Sequence, residues 1–252
     1  NANSSNLSLA SGITLSSAGA LTLAAGSTSS SGGLNLTSTT STININNALV
    51  SAGAINMSAA SGLALSNNTL TAAGNISLEG DSTNSSSGQL TLASGTTITS
   101  SAGSIALGAT TGGISSTGSL TLNASNGITV ADSLTTAGAV NIDADTDNNG
   151  SGDFTVSTGS LSTTNNALTV TANDLVLSGT LDSGTGSTTI NVSDGGSLGL
   201  GFSSGFGMNI TTTEKGKLVG TGDLSLVNGN INFSAGNSLS HSGKLNIGQS
   251  GG

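Results

Sequence analysis

One acidic stretch of the sequence has the residue types and spacing of a cation site. The stretch DADTDNNGSGD, residues 143–153, offers five candidate side-chain ligands at short intervals: Asp143, Asp145, Asp147, Asn149 and Asp153. Calcium takes six to eight oxygen ligands, and alternating aspartates in a glycine-containing loop can direct several carboxylates at one ion. The D-x-D-x-D order is similar to the first half of an EF-hand loop, but it lacks the closing glutamate. These residues are our candidate Ca²⁺ ligands, and a hydrated acidic corner loop is the alternative.

A second motif, Gly201-Phe-Ser-Ser-Gly205, matches the G-x-S-x-G nucleophile elbow of hydrolases. That elbow requires a strand-to-helix turn and a histidine backed by an acid, whereas the single histidine, His241, has no acid near it in sequence. One histidine without cysteine also cannot supply an ordinary zinc site. Paired acids could serve a carbohydrate-cleaving β-helix enzyme, but such enzymes usually hold sugars with aromatic or basic groups, which are scarce here. We therefore predict that the chain is not an enzyme.

The charge balance excludes one class of partner. The 252 residues include twelve acidic side chains and only three basic ones, which gives a net charge of -9. Nucleic-acid binding needs lysine or arginine to displace phosphate counterions, so we expect no nucleic-acid partner. No apolar run has the length that crosses a bilayer, so we expect no membrane insertion by this segment.

The elements that must position these residues are short strands. Apolar side chains recur at every second position along nearly the whole chain, as in Leu34-Asn35-Leu36 and Ile76-Ser77-Leu78. Strands show this period of two, whereas helices place apolar residues three and four apart. The pattern predicts strands throughout and no helix. Glycine or asparagine interrupts the strands, often as Ala-Gly, as bends with positive φ or close backbone approach require.

The spacing between strands predicts the fold. Leu34, Ile55 and Ile76 stand 21 residues apart, and the phrase at 42–59 recurs without a gap at 127–144, 85 positions later and close to four such turns. A unit of this size cannot bury its apolar side alone and must stack on its neighbours. We therefore predict a single all-β domain over 1–252, a parallel β-helix or β-solenoid with coils of roughly 20 to 27 residues. Ten to twelve coils would form a rod about 50 Å long.

Three segments interrupt this pattern. Loop insertions are predicted near 79–89 and 143–153, both at the same corner of the coil. The segment 194–217, which carries two phenylalanines and Met208, is predicted to be a distorted coil, a lateral loop or a contact patch. Its phenylalanines and methionine are more typical of core fillers in a wider coil than of a partner-binding patch.

The repeated phrases resemble a family of bacterial exoproteins. SAGSIALGA (101–109), TGSLTLNASNGITV (117–130) and NNALTVTANDLVLSG (165–179) are similar in pattern to the repeats of filamentous-haemagglutinin-like exoproteins and autotransporter passengers. The resemblance covers nearly the whole chain, although it is one of pattern and composition. It implies a right-handed parallel β-helix, export across the outer membrane and display as a long stalk.

The expected function follows from architecture and resemblance together. We expect a structural repeat segment of a secreted bacterial cell-surface or filament-forming protein, located outside the cell or on the bacterial outer surface. The alternative is a calcium-dependent surface module that binds glycans or proteins. Open solenoid ends expose unpaired strand edges, so we expect end-to-end self-association or continuation in a larger chain.

Overall fold

The computed structural model describes residues 6–24, 26–66, 69–85, 88–228 and 230–248. Within these ranges the chain forms short strands, a 3-10 turn at Ser193–Gly195 and one helix, α1, at Thr212–Lys215. The strands in chain order are β1 (Leu7–Leu9), β2 (Ile13–Ser17), β3 (Leu21–Leu23), β4 (Ser27–Ser30), β5 (Leu34–Ser38), β6 (Ile43–Ile45), β7 (Ala48–Ser51), β8 (Ile55–Ala59), β9 (Leu63–Leu65), β10 (Thr69–Ala72), β11 (Ile76–Glu79), β12 (Leu90–Leu92), β13 (Thr96–Ser100), β14 (Ile105–Gly108), β15 (Ile114–Ser116), β16 (Leu120–Ala124), β17 (Ile128–Val130), β18 (Leu134–Thr136), β19 (Val140–Asp143), β20 (Phe154–Val156), β21 (Ser160–Ser162), β22 (Leu168–Ala172), β23 (Leu175–Leu177), β24 (Thr180–Asp182), β25 (Thr188–Val192), β26 (Leu198–Leu200), β27 (Met208–Ile210), β28 (Leu218–Val219), β29 (Leu224–Val227), β30 (Ile231–Phe233) and β31 (Leu245–Gly248).

The strands stack into three long parallel sheets. Sheet A runs β1-β4-β7-β10-β13-β16-β19-β22-β25-β29-β31, sheet B runs β2-β5-β8-β11-β14-β17-β20-β23, and sheet C runs β3-β6-β9-β12-β15-β18-β21-β24-β28. Each coil from the first, β1–β3, to the eighth, β22–β24, gives one strand to every sheet. Coils 9, 10 and 11 begin with β25, β29 and β31. The predicted parallel β-solenoid is therefore confirmed, while its right-handed sense stays a prediction.

The core is a set of aliphatic columns that run along the solenoid axis. Along sheet B, Ile76 pairs with Ile55 below and Ile105 above, and the column continues through Ile128 to Phe154. All five side chains are buried. Because strand side chains alternate between faces, the Ser, Thr and Asn residues between them point outward. The period of two in the sequence is thus the inside-outside alternation of each coil.

Close stacking between coils requires glycine at two of the Ala-Gly corners, Gly53 and Gly138. A Cβ atom built on Gly53 would lie 2.5 Å from the backbone nitrogen of Gly33, and one on Gly138 would lie 2.5 Å from that of Ser119. Neither glycine has a positive φ, so these two corners select glycine for its size and not for a left-handed backbone. A serine hydroxyl then joins neighbouring corners, as where Ser51 Oγ donates to the Gly32 carbonyl at 2.6 Å.

The predicted register is confirmed for the first coils, and coil length varies more than predicted later in the chain. Leu34, Ile55 and Ile76 are stacked partners at intervals of 21. Along sheet A, the coil length is the number of residues between paired positions of adjacent strands. It is 20 residues between Leu122 and Ile142 and 28 residues between Leu70 and Ile98. One coil is far longer, because Ile190 pairs with Leu226 across 36 residues that include an inserted segment.

The interpretation of the 85-residue recurrence as four turns is wrong. Ile43 lies on sheet C, whereas its counterpart Ile128 lies on sheet B. Four coils above Ile43 on sheet C stands Leu134, which is 91 positions away. The recurring phrase is therefore rotated by one side of the coil. The same strand–bend–strand pattern fits any two consecutive sheets, because all three use inward aliphatic residues and small corner residues.

Two further sequence expectations need correction. The loop after β11 joins sheet B to sheet C, whereas the loop after β19 joins sheet A to sheet B, so they lie at different corners. The prediction of no helix is also wrong, because Thr211 caps α1 through a capping box with Glu214. Four residues with a capping box form one helical turn without the apolar periodicity on which the sequence prediction depended.

Candidate acidic loops and the inserted segment

Asp145 organises the acidic loop that follows β19. Its side chain is fully buried. One carboxylate oxygen accepts the backbone N–H of Asn149 at 3.2 Å, and the other accepts the N–H of Gly150 at 3.1 Å and the Ser193 hydroxyl at 2.6 Å. Three donors thus surround this carboxylate, and the Ser193 bond joins coil 7 to coil 9. A carboxylate hydrogen-bonded to this extent holds the loop in one conformation.

The other four candidate ligands are spread along the loop. Asp143 accepts the N–H of Asp145 at 3.3 Å, and burial, with the nearby Asp145 carboxylate, raises the pKa of Asp143. Asp147 and Asn149 are exposed and hydrogen-bonded to each other at 2.9 Å. Asp153 lies at the far end of the loop, where it accepts the Asn173 amide at 3.1 Å.

The arrangement bears directly on the calcium prediction. Within the described part of the chain, no group of three or more His, Cys, Asp or Glu side chains is placed to hold a metal ion. The Asp145 carboxylate already accepts three hydrogen bonds, two of them from backbone N–H groups, and a cation that used Asp145 would compete with these donors. Calcium binding at these residues stays a prediction, and the geometry gives Asp145 a second role as the centre of a folded loop.

The loop after β11 repeats this design, which the sequence reasoning missed. Asp81 is fully buried, accepts the Ser85 N–H at 2.9 Å and also accepts the Thr111 hydroxyl. Its own N–H donates to Glu79 at 2.8 Å, as that of Asp145 does to Asp143. Both loops also place an asparagine three residues after the buried aspartate, Asn84 and Asn148, at φ of 57° and 52°.

A shared spacing could have revealed the second loop. Both read acid-x-Asp-x-x-Asn, with a glycine seven residues after the buried aspartate, at Gly88 and Gly152. A Cβ on Gly152 would lie 1.9 Å from the Ala144 carbonyl oxygen, and one on Gly88 would lie 2.2 Å from that of Gly80. The loops therefore close on their own first residues and need glycine there.

The irregular segment inserts an extra strand into the solenoid. After β26 the chain turns back, and β27 pairs in parallel with β26, which pairs on its other side with β30. These three strands form a separate small sheet, and sheet B ends at β23. The extra strand accounts for the long ninth coil.

Two carboxylates occupy the upper edge of β23. In the coil below, the Phe154 N–H donates to the backbone carbonyl of Asp174 at 2.9 Å. At β23 itself, the Leu175 N–H donates to the Asp174 carboxylate at 3.0 Å, and the Leu177 N–H donates to Glu214 at 3.2 Å. The same Asp174 oxygen accepts the Asn209 N–H of β27 at 2.8 Å. The carboxylates of Asp174 and Glu214 thus accept the N–H groups of β23 that a further strand of sheet B would otherwise accept.

Asp174 titrates unusually because of this position. The pKa of Asp174 is raised to about 6: burial is the largest cause, and the neighbouring Asp153 and Glu214 carboxylates contribute, against the lowering effect of the two N–H donors. The protonated form of Asp174 is therefore populated in mildly acidic solution.

The remaining candidate motifs lie in the inserted segment and the last coils. Gly201–Gly205 forms the turn between β26 and β27, and the strand β27 follows it, where a nucleophile elbow has a helix. His241 Nε2 lies 2.8 Å from the Gly222 carbonyl oxygen. Met208 is buried as expected of a core filler, whereas Phe202 and Phe206 are half-buried and pack against each other with ring centroids 4.6 Å apart and ring planes tilted by 56°.

Comparisons with known proteins identify no family for this chain. None of the helical structure in the described ranges has the length and apolar character of a membrane span. Searches with this chain against protein-family models, curated proteins and solved structures find no match.

Proposed function

We propose that the chain is a structural repeat segment of a secreted bacterial cell-surface or filament-forming protein, and that it acts as a rigid shaft. The observation that supports this proposal is the continuous parallel ladder of sheet A, eleven strands from β1 to β31. At about 4.8 Å per strand, such a ladder makes a rod about 50 Å long.

The mechanism of a shaft is mechanical. In a solenoid the backbone hydrogen bonds run along the long axis, so tension on the rod is shared by three sheets from coil 1 to coil 8. The two acidic loops add contacts between coils, since Asp145 reaches Ser193 in coil 9 and Asp81 reaches Thr111 in coil 5. Few long loops interrupt the ladder, and we expect the rod to resist proteolysis for that reason.

The two ends of the rod support association along its axis. In the first coil Leu7, Leu9 and Ile13 are only partly buried, although they pack on the core. In the last coils Phe233 and Ile247 are 48% and 40% exposed. Strand edges beside exposed apolar residues are templates for further parallel pairing. A further coil of a longer chain, or a second copy stacked end to end, fits both ends.

Electron microscopy of the natural material tests this proposal. An antibody raised against the chain is used for immunogold labelling of intact producing bacteria. We expect label on stalks or filaments outside the cell, and label confined to the cell interior would contradict the proposal.

End-to-end stacking has a separate test on the purified chain. Leu9→Lys places a charge in the inward column of coil 1, whereas Ser8→Lys places the same charge on the exposed outer face. We expect Leu9→Lys to reduce the length of polymers seen by sedimentation and Ser8→Lys to leave it unchanged. Equal behaviour of the two variants would count against stacking through this column.

A further inference from the structure

The outer side of sheet A carries an ordered double row of threonine and asparagine. In coils 4 to 9, each strand exposes two side chains separated by one inward aliphatic residue. The twelve outward residues are Thr69 and Thr71, Thr97 and Thr99, Thr121 and Asn123, Asn141 and Asp143, Thr169 and Thr171, and Thr189 and Asn191. Eight are threonine, three are asparagine and one is aspartate. We call this surface the threonine face.

The ladder fixes the geometry of the threonine face in two directions. Strand pairing repeats each row at about 4.8 Å along the axis, and two residues of strand rise separate the rows by about 7 Å. Consecutive residues pair one to one from β10 to β25, as in Thr97 with Thr121 and Thr169 with Thr189, so no bulge breaks the rows. Threonine has a stiff χ1, so these hydroxyl and methyl groups lose little freedom when they are ordered further.

Most hydroxyls of this face are not used by the protein. Those of Thr71, Thr97, Thr99, Thr121 and Thr169 have no hydrogen-bond partner among the described residues, in contrast to corner hydroxyls such as Ser51 and Ser100, which bind carbonyls of the coil below. One bond occurs within the rows, from the Asn191 amide to Thr171 at 3.2 Å. The free hydroxyls and the methyl groups beside them therefore face solvent as a regular array.

We propose that the threonine face binds the surface of ice. Ice is an uncharged lattice of hydrogen-bond donors and acceptors with a regular spacing. A rigid array of hydroxyls that repeats at nearly the interval of lattice oxygens can hold water in that arrangement, while the methyl groups exclude disordered water. Asp143 in coil 7 is the one ionisable group in the double row, so the face is close to neutral over its whole length.

Other occupants fit this face less well. Six coils at about 4.8 Å and a width of about 7 Å give on the order of 200 Å², well below the roughly 800 Å² per partner of a stable protein interface. The double row has no aromatic side chain, the type enriched at protein interfaces, and no basic side chain to select an anionic partner. A neutral hydrogen-bonding lattice is the occupant that matches its chemistry.

The other two sheets provide internal controls. The central outward row of sheet B, which includes Asn56, Ser77, Thr129 and Thr155, is interrupted by Ala106. That of sheet C is interrupted by Ala64. Neither carries an unbroken double row of the same length. Thr129 on sheet B and Thr121 on sheet A are both half-buried strand residues of coil 6, which makes them a matched pair.

The experiment measures thermal hysteresis and inhibition of ice recrystallisation with the purified chain. We expect activity for the natural sequence, a loss of at least about tenfold for Thr121→Tyr, and no change for Thr129→Tyr. Thr121→Ser, which keeps the hydroxyl and removes the methyl, should fold normally and lose part of the activity. Asp143→Thr, which extends the neutral array, should raise it.

Three results would overturn the proposal: no hysteresis or recrystallisation inhibition by the natural chain, equal loss in the Thr121 and Thr129 variants, or retention on insoluble cellulose or chitin in place of ice. Circular dichroism melting of every variant separates loss of fold from loss of the face. The location of the protein and its shape in the microscope are independent of these readings, so ice binding and the shaft proposal can fail separately.

Discussion

Replacement of Asp145 by asparagine tests whether the acidic loop is held by its buried carboxylate. In the natural chain the two carboxylate oxygens accept two backbone N–H groups and the Ser193 hydroxyl. Asparagine keeps the shape but offers one acceptor oxygen. One of the two N–H groups, from Asn149 or Gly150, then faces an amide –NH₂ group, while the serine hydroxyl can rotate to accept.

The magnitude follows from the number of donors left without a partner. A buried donor that loses its acceptor costs about 1–3 kcal/mol, so Asp145→Asn should lower the free energy of unfolding by about 2 kcal/mol. Asp145→Ala strands all three donors and should cost about 3–5 kcal/mol. Asp147→Asn is the matched control, because Asp147 is exposed and accepts one side-chain amide; it should change stability by less than about 0.5 kcal/mol.

The assay is urea unfolding followed by far-ultraviolet circular dichroism, since the chain has no tryptophan or tyrosine. Repeat proteins can open locally, so amide hydrogen exchange at Asn149 and Gly150 should be read as well. We expect fast exchange at one or both amides in Asp145→Asn and unchanged exchange in Asp147→Asn. Equal destabilisation by the two variants would refute the reasoning. So would a loss of stability that both variants show only in the presence of calcium.

The remaining predictions concern the corners, the core and the break in sheet B. Gly53→Ala should destabilise by about 1–3 kcal/mol, because its Cβ would meet the Gly33 backbone, whereas Gly19→Ala, whose nearest neighbour is a hydroxyl at 4.0 Å, should be tolerated in the same thermal melt. Phe154→Ala should cost about 3–5 kcal/mol in calorimetry, because it empties a fully buried site between Ile128 and Leu175, and a loss below about 1 kcal/mol would speak against a packed column. Asp174 has a pKa of about 6 in the fold against 3.8 in the unfolded chain, so the fold binds more protons in this window, and its contribution to stability should fall as pH rises from about 4 to 6. Asp174→Asn should flatten that part of the curve, by on the order of 1 kcal/mol after solvent screening, and an unchanged pH profile would contradict this assignment.

The sheet architecture was predictable because it depends on local alternation and repeat length. The period of two in Ile76-Ser77-Leu78 is the inside-outside alternation of a strand, and the interval of 21 between Leu34, Ile55 and Ile76 is one winding. Both signals come from burial, which acts on every coil in the same way.

The sheet that a repeated sequence phrase joins could not be predicted in the same manner. Ile43 and Ile128 occupy different sheets because all three sheets of the coil accept the same residue types. The two acidic loops could not be assigned to corners for the same reason. Sequence similarity between coils therefore specifies that strands stack, and the cumulative coil lengths decide which side each strand joins.

The candidate site could be predicted only in part from the sequence. The aspartates of 143–153 were found through their metal-ligand spacing, but the spacing did not show that Asp145 is buried and hydrogen-bonded across two coils. Asp81 was missed because its loop has fewer acids, although it has the same fold. The strand β27 was hidden as well, because Met208-Asn209-Ile210 alternates like any strand of the ladder and nothing local shows that it is inserted.

Cysteine cross-linking tests the central claim of in-register stacking most directly, since the natural chain has no cysteine. Thr129 and Thr155 are lateral partners in adjacent coils, and Val176 is one coil further along the same row. Neighbouring parallel strands lie about 4.8 Å apart, a distance that a disulfide can span, whereas two coils lie about 9.6 Å apart. We predict rapid disulfide formation in the Thr129→Cys/Thr155→Cys variant without loss of fold, and none within a monomer of Thr129→Cys/Val176→Cys. Equal cross-linking of the two pairs, or cross-linking of the second pair alone, would contradict the stacked solenoid.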